Sequence, residues 1–280
     1  MSGKLYLCAT PIGNLNDMTP RVIEALREAD LIAAEDTRNS IKLMNHFNIS
    51  TPMTSYHEYN KVEKAKVLVD KLQNGLNIAL ITDAGTPAIS DPGEVLVKMC
   101  QDAGIIVTSL PGPAALITAL TLSGLSTRRF CFEGFLPSDK KERKLVLQDL
   151  EDETRTIILY EAPHHLVSTL NELMAAVGNR KITLCRELTK KFETIMPTTL
   201  QESLTFYEKE DPRGEYVLVL EGKSFQKQIE EKQLSFLDIS IEEHMKIYED
   251  QGMERKEAMK MVAKDRGLSK RDVYQVLNKK

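Results

Sequence analysis

The chain has 280 residues, enough for two domains of ordinary size and a short appendix. With 42% hydrophobic and 28% charged residues it has the makings of a packed core, which excludes a disordered chain. A formal net charge of −4, with both signs interspersed, excludes bulk attraction to nucleic acid, so any phosphate contact must come from local basic patches.

Met1-Ser2-Gly3-Lys4 leads straight into the first predicted strand, Lys4–Thr10, without the build of a signal peptide. Thr19 and Pro20 then supply an N-cap and a first-turn proline for a helix to Ala29. Leu31–Ala34 reads as the second strand, followed by helices over Asn39–Phe47 and Asn60–Gln73, the latter ending near Gly75. Ile78–Thr82 is the third predicted strand, with a Gly/Pro loop and a helix over Glu94–Ala103 behind it. The fourth, Ile105–Leu110, precedes a helix over Ala114–Leu122. The uncharged stretch from Ile105 to Leu125 is long enough to test as a membrane span, but Pro111-Gly112-Pro113 interrupts any continuous helix. This alternation predicts a mostly parallel sheet covered on both faces.

Leu122–Arg129 reads as a linker. Beyond it come strand Phe130–Phe135, helix Ser138–Glu151, strand Thr156–Tyr160, helix His164–Val177 and strand Ile182–Arg186. An extended run over Glu193–Thr198, helix Leu200–Glu208 and strand Tyr216–Leu220 follow, predicting a mixed sheet. After Lys223 a polar bridge gives way to helix signals at Ile241–Glu249, Arg255–Lys264 and Ser269–Leu277. The turn Asp265-Arg266-Gly267-Leu268 with Ser269 as N-cap predicts a small helix-turn-helix. The expected domains are 1–122, 123–223 and a helical tail, 224–280.

Three Gly/Pro loops fall just past predicted strands, where open α/β sheets bind ligands: Thr10–Asn14, Asp83–Gly93 and Pro111–Ala115. Small residues there let a ligand approach the backbone closely. There is no GxGxxG after the first strand and no GxxxxGK[ST], so dinucleotide and nucleoside-triphosphate folds are poorly supported. No His/Cys/carboxylate spacing suggests a metal, and no GxSxG suggests acyl transfer. Cys8, Cys100, Cys131 and Cys185 form no CxxC pair and read as structural free thiols, which with the absence of a leader points to a cytoplasmic chain.

Eight motifs in order carry a resemblance over essentially the whole chain. They are ATPIGN (Ala9–Asn14), AAEDTR (Ala33–Arg38), DAGTPAISDPG (Asp83–Gly93), PGPAA (Pro111–Ala115), FEGFLP (Phe132–Pro137), YEAPH (Tyr160–His164), RELTKKFE (Arg186–Glu193) and GEYVLVLEG (Gly214–Gly222). With these the chain resembles the tetrapyrrole-methylase superfamily and, within it, the bacterial small-subunit (16S) ribosomal RNA cytidine 2′-O-methyltransferases. The resemblance implies two α/β domains of the tetrapyrrole-methylase type with S-adenosylmethionine in an inter-domain cleft, a homodimer, and ribosomal RNA or the small ribosomal subunit as partner; no membrane partner is expected, given the break at Pro111-Gly112-Pro113. The tail resembles the helix-turn-helix appendix of that family. Carried over residue by residue, the cofactor contacts are Pro11, Asp83, Ala84, Gly85, Ala88, Ala114, Ala115, Glu161, Glu187, Gly214 and Glu215. The family pattern commonly has Arg after the Pro-His of its YE-x-PH motif, where this chain has His165.

Methyl transfer needs the acceptor oxygen in line with the departing sulfur, and a base or acceptor to orient the hydroxyl. Asp36, Arg38, His57 and Asn60 are the expected acceptor-side residues, with Arg38 on a neighbouring phosphate and His57 or Asp36 taking the proton. Lys140–Lys144, Lys190-Lys191 and Lys270-Arg271 are the candidate phosphate patches. A small-molecule or tetrapyrrole methyltransferase of the same fold is one rival reading. A non-catalytic nucleic-acid-binding protein, with the tail as its reading module, is the other.

Overall fold

The computed structural model describes residues 2–236 and 238–278. The chain divides into two compact units, one of Met1–Leu147 with Thr156–Glu221 and one of Gln148–Arg155 with Gly222–Lys280.

The first unit begins with β1 (Lys4–Cys8), α1 (Pro20–Glu28), β2 (Leu31–Ala34), α2 (Thr37–His46), β3 (Met53–Ser55) and α3 (Lys61–Gln73). It continues with β4 (Ile78–Ile81), α4 (Gly93–Asp102), β5 (Ile106–Leu110) and α5 (Ala115–Leu122). These strands form an all-parallel sheet in the order β3-β2-β4-β1-β5. In β4, Ile78 and Leu80 pack on one face with Leu68 and Leu96, while Ala79 and Ile81 pack on the other with Val22 and Leu26. Burial on both faces is why β4 reads as an unbroken apolar run. Thr19 caps α1 ahead of Pro20, as the sequence predicts.

Strand β3 is a correction to the expected sequence of elements. Its three residues, all half-buried, are too short to show a period, yet they pair in parallel with β2. The expected third and fourth strands are therefore β4 and β5.

The second sheet follows from β6 (Phe130–Gly134), α6 (Lys140–Glu151), β7 (Thr156–Glu161), α7 (Leu166–Val177) and β8 (Lys181–Arg186). It is completed by β9 (Thr194–Thr199), α8 (Leu200–Tyr207) and β10 (Tyr216–Leu220). The order is β6-β7-β10-β8-β9, with only β6 and β7 parallel, so the sheet is mixed as expected. Helix α5 packs Ala119 and Leu120 against Ile158, Val217 and Val219 of this sheet.

The second unit holds α9 (Phe225–Ser235), α10 (Ile241–Asp250), α11 (Arg255–Asp265) and α12 (Lys270–Leu277). The expected polar bridge is in fact largely α9. Its few apolar residues, Phe225, Ile229 and Leu234, are exposed, so no amphipathic pattern marks it. Buried Lys223 anchors its start, paired with Asp152 Oδ1 at 2.7 Å and with Glu231. Helices α10, α11 and α12 share a core of Met245, Ala258, Val262, Ala263 and Val273. Gly267, at φ +65°, ends α11, and a reciprocal Ser269–Asp272 capping box starts α12. No helix among the described residues is long and apolar enough to cross a membrane.

Candidate functional site

The three Gly/Pro turns meet at the C-terminal edge of the parallel sheet. Thr10 and Gly85 exchange backbone hydrogen bonds, Thr10 N to Gly85 O at 2.9 Å and Gly85 N to Thr10 O at 3.0 Å. Thr86 Oγ1 donates to Pro113 O at 3.0 Å, tying the second turn to the third. Gly112 lies so close to β1 that a Cβ on it would sit 2.7 Å from that of Ala9. Glycine is required there by close approach.

Between these turns and the second sheet lies a cavity of about 580 Å³, within the range of sites for small ligands. Its wall includes Asp83, Ala84, Gly85, Ala114, Ala115, Glu161 and Glu215. These seven expected cofactor residues are thus brought together. The other four, Pro11, Ala88, Glu187 and Gly214, do not line it. Pro11 precedes wall residue Ile12, and the Ala88 N–H donates to Asp91 Oδ1 at 3.0 Å. Glu187 holds Lys190, and a Cβ on Gly214 would fall 2.5 Å from the Glu187 side chain.

Sequence reasoning missed much of the wall. Glu35 faces the cavity, and its Oε2 accepts from Thr82 Oγ1 at 2.6 Å. Leu116, Phe135, Tyr160 and Val217 supply apolar surface, Tyr160 packing edge-on to Phe135 at 5.6 Å. Phe135, Tyr160 and Val217 fall within the motifs FEGFLP, YEAPH and GEYVLVLEG, but their apolar character marks core just as well, and Leu116 lies in no motif. Cys185 also lines the cavity, and burial pushes its thiol up to about 12, so it is uncharged at neutral pH and no nucleophile.

Backbone strain concentrates around the cavity. Among the described residues five non-glycines have left-handed φ, and four flank this site: Ala88 (68°), Ser90 (60°), Glu187 (51°) and Thr189 (66°). Each costs of order 1–3 kcal/mol and persists only where surroundings dictate it, a pattern typical of ligand sites. Asp91 holds one strained turn by accepting from the N–H groups of Ala88, Ile89 and Gly93. Lys190 holds the other, its Nζ donating to Glu187 Oε1 at 2.9 Å and Glu215 Oε2 at 2.8 Å. Burial pushes the Lys190 ammonium down, but the two carboxylates outweigh it and keep it protonated.

Gly214 is the hinge of that second arrangement, at φ +76° against the Glu187 carboxylate. Gly214→Ala should destabilise the fold by about 1–3 kcal/mol, through the left-handed backbone and the displaced Glu187 together. A lowered urea midpoint at unchanged m-value would register it; an unchanged midpoint would mean the turn relaxes freely.

The four expected acceptor-side residues lie off the wall. Asp36 caps α2, accepting from the Arg38 N–H at 2.8 Å and from its guanidinium Nη2 at 2.7 Å. That guanidinium holds the Asp36 carboxyl down at about 2. The Arg38 side chain is otherwise exposed. The His57 N–H donates to Asn60 Oδ1 at 2.9 Å, which turns the Asn60 amide nitrogen toward His57 Nε2 at 3.3 Å. Buried Nδ1 has no hydrogen-bond partner among the described residues. Tyr56, next to His57, donates from its hydroxyl to Pro92 O at 2.9 Å and so ties this segment to the Asp83–Gly93 loop.

Of the candidate phosphate patches, Arg143 is a correction. It turns inward, Nε donating to Glu172 Oε2 at 2.7 Å and Nη2 to Thr169 Oγ1 at 2.8 Å. Lys190 is similarly committed to its two carboxylates. His164 and His165 are exposed in the turn that starts α7, their rings 4.1 Å apart.

The sequence matches the family of Tetrapyrrole (Corrin/Porphyrin) Methylases over residues 4–203. It is 47% identical to a Ribosomal RNA small subunit methyltransferase I from Synechocystis sp., covering 98% of this chain and 97% of that relative. It is 46% identical to its namesake from Halalkalibacterium halodurans, covering 98% and 94%. A uroporphyrin-III C-methyltransferase from Thermus thermophilus, solved complexed with S-adenyl homocysteine, superposes with a TM-score of 0.55 at 18% identity, covering 78% of this chain and 97% of that one. That likeness shows a shared fold. By relatives that match nearly end to end and a family model that matches most of the chain, the chain belongs to the ribosomal RNA small subunit methyltransferase I family of tetrapyrrole (corrin/porphyrin) methylases.

Proposed function

We propose that the chain is an S-adenosylmethionine-dependent methyltransferase that modifies the ribose 2′-hydroxyl of a cytidine in small-subunit ribosomal RNA. The observation that carries this reading is the convergence of the three turns on one nucleoside-sized cavity. The names of its relatives, and the S-adenyl homocysteine held by a protein of the same fold, support it. The family resemblance adds a homodimer working in the cytoplasm.

The donor set suits that cofactor. S-adenosylmethionine supplies, when bound, a methyl group on a cationic sulfonium. Tyr160, Phe135 and Leu116 offer an apolar berth for an adenine ring, while the small residues Ala84, Gly85, Ala114 and Ala115 admit it to the backbone. Too many free carboxylates would stabilise the ground-state cation and slow transfer. Three on the wall are already engaged: Asp91 by backbone N–H groups, Glu161 by Thr169 Oγ1 at 2.5 Å, and Glu215 by Lys190. Glu35 is a fourth, accepting from Thr82 Oγ1 at 2.6 Å, which leaves Asp83, 3.4 Å from the Asn39 amide, as the least engaged carboxylate on the wall.

On the acceptor side, Asp36 is a poor base, since Arg38 holds its carboxyl near 2. His57 is the proton acceptor, through Nε2, which Asn60 orients; Arg38 supplies an exposed charge for the neighbouring phosphate. Such a hydroxyl must come from a single-stranded or splayed nucleotide.

Labelled methyl from S-adenosylmethionine should pass to small-subunit ribosomal RNA from cells lacking the protein, and mass mapping should place it on a cytidine ribose. Transfer to a porphyrin precursor in its place would establish the tetrapyrrole reading instead.

A further inference from the structure

Residues 255–280 hold nine Lys and Arg against three Asp and Glu, in a chain whose formal net charge is −4. Of those three acids, Asp265 is buried and Asp272 is engaged in the cap of α12. Along α11, Lys256, Lys260 and Lys264 recur at every fourth residue. They are exposed, point away from buried Ala258 and Val262, and pair with no carboxylate among the described residues. On α12, Arg271 and Gln275 lie opposite buried Val273, with exposed Tyr274 and Lys270 on the adjoining flank. Tyr274 is 57% exposed, where a core aromatic would be covered.

Resting on the ribosomal RNA reading above, we propose that α11 and α12 form an RNA-docking surface separate from the cavity, α11 engaging phosphates and Tyr274 of α12 stacking on an unpaired base. An unpaired lysine row complements a polyanion better than an apolar protein face. A helix-turn-helix habitually divides its labour this way, one helix crossing the backbone and the next presenting side chains to bases. An exposed tyrosine flanked by Lys, Arg and Gln is the composition that stacks on and hydrogen-bonds to single-stranded RNA. The capping box of α12 and the contact of Arg266 Nε with His244 Nδ1 at 3.2 Å keep the module ordered without using any of these side chains.

The test uses the full chain and a fluorescein-labelled single-stranded RNA, with anisotropy read across a salt series. Lys256→Ala/Lys260→Ala/Lys264→Ala should flatten the slope of log affinity against log salt by about 2, since each phosphate contact on a single strand contributes ~0.7. Tyr274→Ala should weaken binding roughly tenfold with the slope unchanged, and Tyr274→Phe, which keeps the ring, should restore it. Unchanged urea midpoints would show the fold intact in each variant. Wild-type slope and affinity in the lysine and alanine variants would overturn the proposal. So would variants that lose binding to the assembled small subunit but keep it to naked RNA, which would make the partner a protein. A wild-type chain that methylates ribosomal RNA while all variants bind normally sinks the docking surface alone. One that binds RNA through these helices but transfers no methyl sinks the enzymatic reading alone.

Discussion

His57→Ala should lower turnover at least ~100-fold, the lower range for lost acid–base help, while leaving cofactor affinity at its wild-type value. The expectation rests on geometry. The His57 N–H fixes the Asn60 amide, and that amide in turn marks Nε2 as the nitrogen without a proton. Nε2 can therefore exchange Asn60 for a ribose hydroxyl and take its proton, whereas the Asp36 carboxyl, held at about 2, cannot do so efficiently near neutral pH. Single-turnover methyl transfer to purified small subunits measures the rate, and calorimetry measures the cofactor. Since His57 is not on the cavity wall, the two readouts should separate. Asn60→Ala should fall between wild type and His57→Ala, because it removes the orienting amide but leaves the imidazole. Wild-type turnover in His57→Ala would take the histidine out of the reaction and leave Arg38 and Asp36 to position a hydroxyl that loses its proton to water.

How far the sequence reached follows from what each feature depends on. The parallel sheet was legible because burial on both faces writes itself as unbroken apolar strands, and the turns because glycine and proline are needed where backbone approaches backbone, as at Gly112 against Ala9. Strand β3 and helix α9 were not, since neither buries enough to impose a period. The site was legible on the side built from main chain and obscure on the side built from packing. Glu35 and Asp36 illustrate the limit. They are neighbours of like chemistry just past β2, but Asp36 turns to cap α2 while Glu35 reaches Thr82 and the cavity. Only the direction of the chain leaving the strand distinguishes them. Left-handed backbone at Ala88, Ser90, Glu187 and Thr189 is equally unreadable, because these residue types rarely adopt it and do so here only under the constraint of Asp91 and Lys190.

Asp83→Asn should move stability and binding in opposite directions. Burial, and then the nearby Glu35 carboxylate, hold the Asp83 carboxyl above its ordinary value, with the Asn39 amide 3.4 Å away as a weak counterweight. A carboxyl raised in the folded state binds its proton more tightly there than in the unfolded chain. Its contribution to stability is present below the unfolded value of about 3.9 and is lost as pH rises through the folded one. At neutral pH the ionised Asp83 is thus a net cost to the fold, tolerable only if a ligand uses the charge. The amide variant should melt higher than wild type at neutral pH, and the gain should shrink as pH falls toward the ordinary carboxylate value. Cofactor affinity should meanwhile drop about tenfold to a hundredfold, the worth of a charge-assisted hydrogen bond. A merely damaged fold would lose both quantities together, so the opposed signs identify the carboxylate as a ligand contact. A higher melting point with wild-type affinity would mean that the cavity binds its cofactor through the backbone of this turn alone.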